Sequence, residues 1–333
     1  MYTATSSLVR IGSLRFQFTT ERIFADMYTQ SSLKLALTFA AGAVILATPA
    51  FAFQIQAVYD DSINNDANGA AIKNNIASVI SFYESRFTDN MTAKIYFRKG
   101  GGLGSSEWGY YWNNSGVAVN AMQSDAKTAD DAIAVSHLGS QGFGSVAYTS
   151  ANGRALGLGT GGFLSYNGEG GFDGAVSLNT DICFTDHNSP TGGLFDLYAV
   201  AAHEIDEVLG TPSGASGALA FTTDLYRYDG NGNRSFNGDT NSHAYFSIDG
   251  TTNIVEYNQF QRSGGDWGDW AVHNPSMVQD YALFSGIKID MGEPEMRLLD
   301  VIGYDRAPVP EPCSLLLVGI GAAFVTRRRR RNL

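Results

Sequence analysis

The run Asp196-Leu-Tyr-Ala-Val-Ala-Ala-His203-Glu-Ile-Asp-Glu207-Val-Leu-Gly210 constrains this chain more than any other stretch. Leu194, Leu197, Ala201, Val208 and Leu209 fall on one side of a helix, so that side is expected to be buried. His203 and Glu207 are four residues apart and stack on one face about one turn apart, while Glu204 points about 100° round from His203. Gly210 stands where a helix wants a left-handed residue to stop and lets the chain turn sharply. The fold must bury one flank of this helix and leave His203, Glu204 and Glu207 reachable.

The chemistry of that face follows from its spacing. In the H-E-x-x-H pattern two imidazoles at i and i+4 hold zinc and the intervening Glu activates a water. Here the first His and the Glu are present, and Glu207 replaces the second His. Carboxylate oxygen is an accepted zinc ligand, but its negative charge lowers the acidity of a bound water. The expected roles are His203 and Glu207 as metal ligands and Glu204 as general base. With Gly210 the pattern becomes H-E-x-x-E-x-x-G, similar to the metzincin motif H-E-x-x-H-x-x-G-x-x-H. The third metzincin ligand would fall on Ser213, a poor zinc ligand. Asp224 is the expected third ligand, with His187, His243 and His273 as its alternatives, because ligands from separate loops have no fixed spacing.

Both ends read as addresses. Lys34, the apolar run Leu35 to Ala47 and Ala50-Phe51-Ala52 form a secretory signal with cleavage expected after Ala52, and Met27 is the more natural start. Near the other end Val309-Pro310-Glu311-Pro312 is followed by an apolar piece from Ser314 to Thr326 and then Arg327 to Arg331. That order of Pro-Glu-Pro, short apolar helix and arginine cluster resembles the PEP-CTERM sorting tail of exported Gram-negative proteins. The resemblance implies a transient membrane anchor, processing by an exosortase, and delivery to the cell surface or extracellular matrix. The expected divisions are therefore 1–52 as extension and signal, 53–306 as the folded domain, and 307–333 as the tail with its short transmembrane helix.

Without residues 1–52 and 311–333 the body carries 13 basic and 30 acidic side chains, a net charge of −17. Such a surface repels nucleic acid and anionic lipid and suits calcium or cationic partners. Cys183 is the body's single cysteine, so stability must come from a buried core rather than disulfides. Phe53–Tyr59 alternates as a strand, Ala70–Phe87 carries Ile72, Ile76, Val79, Ile80 and Tyr83 at helical spacing, and Thr92–Phe97 is a second strand. Gly100–Ser106 reads as a surface loop rather than a phosphate loop. A helix is expected over Ser124–Ser136, strands over Ala155–Leu158 and Ala175–Leu178, a loop over Thr180–Pro190, and a closing helix over Glu293–Ile302. Residues 211–290, rich in Gly, Asn, Asp and aromatics, predict a β-rich lobe.

The strand–helix–strand opening, the helix Asp196–Leu209, Asp224–Tyr228, Tyr245–Gly250, Gly265–Trp270 and the ending Met296–Tyr304 together resemble a group of secreted bacterial metalloproteases of zincin type. That group includes H-E-I-x-E-V-L-G variants. The resemblance spans most of residues 53–305 and implies an α+β, zincin-like core of mixed sheet plus active-site helix. It also implies zinc-dependent hydrolysis of peptide bonds in a peptide or protein substrate, while the two ends imply signal peptidase and exosortase as processing partners. The other classes open to this sequence are a catalytically inactive zincin fold that binds peptide, and a surface or matrix-binding protein. Tyr226 or Tyr228 could steady an oxyanion, although packing is the plainer role for both. Asp229–Asn233 has alternating oxygen ligands suited to calcium, Ca2+, but reads first as a hairpin turn. Gly265–Trp270 could bind calcium or sugars, and reads first as a turn with packed indoles.

Overall fold

The computed structural model describes residues 53–139, 144–215, 217, 219–236, 243–259 and 265–308. The expected signal segment and the sorting tail beyond 308, with the short transmembrane helix expected in it, lie outside the described residues. No helix among the described residues is long and apolar enough to cross a membrane.

The strands in chain order are β1 (Gln54–Tyr59), β2 (Thr92–Lys99), β3 (Gly104–Trp108), β4 (Tyr110–Asn114), β5 (Ser145–Thr149), β6 (Leu164–Tyr166), β7 (Glu169–Phe172), β8 (Gly174–Leu178), β9 (Cys183–Phe184), β10 (Phe195–Asp196), β11 (Ala220–Phe221), β12 (Arg227–Tyr228), β13 (Tyr245–Phe246) and β14 (Val255–Glu256). The principal sheet has the order β1-β2-β8-β3. Its first three strands are parallel, and β3 runs antiparallel to β8 along the edge. A parallel β1–β2 pair needs a crossover. The helix Gly69–Arg86 supplies it and buries Ile72, Ile76, Val79, Ile80 and Tyr83. A second sheet, β11-β5-β4, adjoins the first where the chain leaves β3 through Gly109.

The helix Leu197–Leu209 is capped at its start by Asp196, whose side chain accepts from the Tyr198 N–H. It is more central than its one-sided pattern predicts, since every residue in it except His203 is buried. The crossover helix packs on one side of it, and β3 and β8 on the other. Gly210 ends it at φ 151°, with no room for a β-carbon between Ile302 and Asn152.

The fold is mixed α/β with several small sheets. β8, β2 and the closing helix, here Glu293–Val301, fall where expected. Four expectations are corrected. The single helix over Ser124–Ser136 is two helices, Ser115–Asp125 and Ala129–Leu138, because Thr128 and Asp131 form a capping box that starts a new one. Ala155–Leu158 is no strand: Ala155 ends the short helix Ser150–Ala155, and Gly157 turns the chain at φ 67°. Gly104–Ser106, expected in a loop, belongs to the edge strand β3. Finally, the described part of 211–290 is mostly turns, with a small sheet β12-β13-β14 of two-residue strands rather than a β-rich lobe.

Candidate metal centre

His203, Glu207 and Asp269 each present one ligand atom, and these atoms lie within 4.8 Å of one another. His203 Nε2 is 3.4 Å from Asp269 Oδ1 and 3.9 Å from Glu207 Oε1. The ring is oriented from behind, since Nδ1–H donates to the Val278 carbonyl at 2.9 Å. In the neutral ring that bond leaves the Nε2 lone pair facing the two carboxylates, as a metal-binding histidine requires.

The carboxylates are positioned with equal care. Ser106 on β3 donates its hydroxyl to Glu207 Oε2, leaving Oε1 on the His203 side. Asp269 Oδ2 accepts from the Asp266 N–H at 2.7 Å, while its Oδ1 is buried without a hydrogen-bond donor. A buried carboxylate oxygen without a donor is costly unless a cation meets it, and the facing His203 Nε2, 3.4 Å away, supplies one when the ring is protonated. Glu204 lies beneath β3, where Gly104 makes room for it: a β-carbon there would sit 2.4 Å from Glu204 Oε1. These residues, with Trp108, Asp266, Asp280 and Tyr281, line an open cleft of about 630 Å³.

Burial opposes a charge on His203, but Asp269, Glu204 and Glu207 outweigh it and hold the imidazole's proton affinity well above the usual histidine range. Burial pushes Glu204 up to about 7, with His203 pulling it back and Asp269 raising it further. Glu207 is driven well above the carboxylate range by burial and then by the charge on Glu204. Asp266 is raised by burial and by Asp269. Four carboxyl groups around one imidazole form a pocket that demands positive charge. One imidazole nitrogen and two carboxylate oxygens are a donor set zinc accepts, and harder divalent ions accept it too.

Behind these side chains, Asp206 is fully buried and accepts from Tyr83 Oη at 2.6 Å and Gln279 Nε2 at 3.0 Å. Burial raises it to about 8. The loop Gly265–Trp270 is clamped against the chain that leaves the helix. Gly268 touches the Thr211 carbonyl so closely that a β-carbon would stand 2.4 Å from it. Asn258 and Arg227 hold the carbonyls of Asp266, Asp269 and Trp267.

The structure brings His203, Glu204 and Glu207 together as the spacing predicts. It does not bring Asp224 to them. That side chain is buried elsewhere, accepting from Ser213 Oγ, the Gly214 N–H and the Phe221 N–H, so it fixes a turn. His187 pairs with Asp196 and Asp290, His243 with Glu256, and His273 with Asp280. Tyr226 is buried with its hydroxyl on Met122 Sδ. Asp229 accepts from the N–H groups of Asn231 and Asn233 in a tight turn, which is the hairpin reading. Cys183 is buried, and burial pushes its thiol up to about 12, far from a nucleophile. The residues missed are Asp269 and Asp266. Their signal was present in Gly265–Trp270, where two carboxylates alternate with Trp267 and Trp270, both buried.

Residues 308–331 match the PEP-CTERM protein-sorting motif. The chain is thus an exported protein with an exosortase sorting tail, consistent with a place at the cell surface or outside it. No curated protein and no solved structure matches the chain.

Proposed function

We propose that this protein is an exported, zinc-dependent endopeptidase with a zincin-like core. The observation that carries the proposal is the convergence of His203, Glu207 and Asp269 beside Glu204, under the edge strand β3 of the principal sheet. His203, Glu207 and Asp269 would hold the ion. When bound, a divalent cation supplies Lewis acidity to a peptide carbonyl and lowers the pKa of a water. Glu204 would accept the attacking water's proton at its carboxylate and return it to the leaving amine. The edge of β3 offers backbone groups to an extended chain lying across the cleft. The three parallel strands, antiparallel edge strand and buried motif helix support the zincin-like description.

Metal analysis of the purified protein beside His203→Ala and Asp269→Asn tests the site. The expected result is about one zinc per chain in the parent, lost in both variants, with hydrolysis of unstructured polypeptide abolished by Glu204→Gln while zinc is retained. A parent that takes up no divalent metal at neutral pH sinks the enzymatic reading. It would leave a binding protein that the sorting tail delivers to the surface.

A further inference from the structure

One feature outside the ligand set adjoins the same cleft. Trp108, at the end of β3, lines the pocket and begins a row of aromatic rings along β4. The Trp108 and Tyr110 centroids are 5.8 Å apart, and those of Tyr110 and Trp112 are 6.0 Å apart. Phe221, buried on β11, backs both Trp108 at 5.2 Å and Tyr110 at 5.8 Å. The row grows more exposed as it leaves the cleft, with Tyr110 at 42% and Trp112 at 61%. Exposed tryptophan beside tyrosine on an edge strand is a costly surface for an exported protein unless something docks on it.

We infer that the Trp108–Tyr110–Trp112 row is the specificity surface of this site, taking aromatic or large aliphatic side chains from alternate positions of an extended polypeptide. This rests on the reading that the cleft accepts polypeptide. Two observations favour that occupant over a glycan. Alternate side chains on an extended chain recur every ~6.6 Å, close to the ring spacing of the row. The rings are inclined to one another by 67° and 41°, so they form notches between edges and faces rather than the flat platform on which sugars stack. Apolar side chains fit such notches.

The test uses two extended peptides of equal length and charge, one with Phe at alternate positions and one with Ser. Their binding is measured by calorimetry on zinc-loaded Glu204→Gln protein, with and without Trp112→Ala. The Phe peptide should bind about tenfold more tightly than the Ser peptide, and Trp112→Ala should erase most of that preference without weakening the Ser peptide. Trp112 is exposed, so the variant is expected to fold, and unchanged thermal unfolding checks it. Equal affinity for the two peptides overturns the inference. So does a preference that survives Trp112→Ala, or tight binding of a β-linked oligosaccharide with no binding of either peptide. Retained Phe preference with no hydrolysis by the parent supports the surface while removing the peptidase reading.

Discussion

Gly104→Ala separates the position of Glu204 from the presence of metal. The new methyl would stand 2.4 Å from Glu204 Oε1, 3.0 Å from Glu204 Cδ and 2.8 Å from Val200 Cγ1. A carbon and an oxygen settle more than 3 Å apart, so the carboxylate must retreat by roughly 1 Å or β3 must lift. A misplacement of ~1 Å at a catalytic group costs about 100-fold, equivalent to about 2.7 kcal/mol of barrier. The backbone itself tolerates alanine here, since Gly104 is not among the glycines of positive φ. Stability should fall by no more than about 2.5 kcal/mol, because removing a strand glycine gains about 0.5–1 kcal/mol and overpacking costs about 1–3 kcal/mol. The assay is kcat/KM on a quenched-fluorescence peptide, together with zinc content and Tm. Gly101→Ala, where a methyl meets nothing within 4 Å, is the control. A Gly104→Ala protein with parental kcat/KM would falsify the placement of Glu204 as the base.

Asp224→Ala should leave zinc content per folded chain unchanged and lower stability by roughly 2–4 kcal/mol, since it strands one buried N–H and removes the acceptor of a part-buried N–H and hydroxyl. Urea unfolding reads this, and zinc loss without destabilisation would return Asp224 to the ligand set. Asp89→Asn tests the pH response of the fold. Burial, then the charge of Asp305, raises Asp89 to about 7, so the folded chain holds a proton that the unfolded chain releases near pH 4. Stability contributed by this group is full below pH ~4 and falls as pH climbs through about 7. The asparagine can still accept the Asp305 N–H. The variant should therefore exceed the parent by about 2–4 kcal/mol at pH 8 and match it near pH 4. A constant difference across that range would refute the assignment.

What the sequence revealed, and what it hid, divides along local and non-local lines. The crossover helix and the motif helix are legible because their apolar positions repeat at the helical period, and Asp196 and Gly210 mark the ends. β3 is not, because Gly104-Ser105-Ser106 has no strand propensity of its own. It is a strand because β8 pairs with it from Gly104↔Leu178 to Trp108↔Gly174. Glu204 needs the glycine that makes the segment look like a loop. The third member of the proposed metal set was hidden for a related reason. Asp269 lies far along the chain from Glu207, and only the clamp of Gly268 on Thr211, with Asn258 and Arg227, brings it back. Asp224 offered the same functional group nearer in sequence, but its three donors are local and hold it in its own turn.

The exchange of the expected second histidine for Glu207 raises the question of whether the site is intact or decayed, and β3 bears on it. Positions 104 and 106 fall on one face of that strand. One makes space for Glu204 and the other donates to Glu207 Oε2. A buried carboxylate needs a donor whatever its role, and here that donor is a serine aligned with the glycine that seats its neighbour, as the proposed site requires. The bond also has a consequence for the proposed metal. It fixes which oxygen of Glu207 faces His203, and it draws charge from the carboxylate, tempering the loss of Lewis acidity that a carboxylate ligand brings. Ser106→Ala removes that donor without changing any proposed ligand. Loss of such a partner typically weakens metal binding about 10–100-fold. Competition with a chelator of known affinity should show a fall of that size in zinc binding, with thermal unfolding of the metal-free protein unchanged to within a few degrees. Zinc affinity equal to the parent's would mean that Ser106 merely packs, and that the agreement between β3 and the motif helix is structural rather than functional.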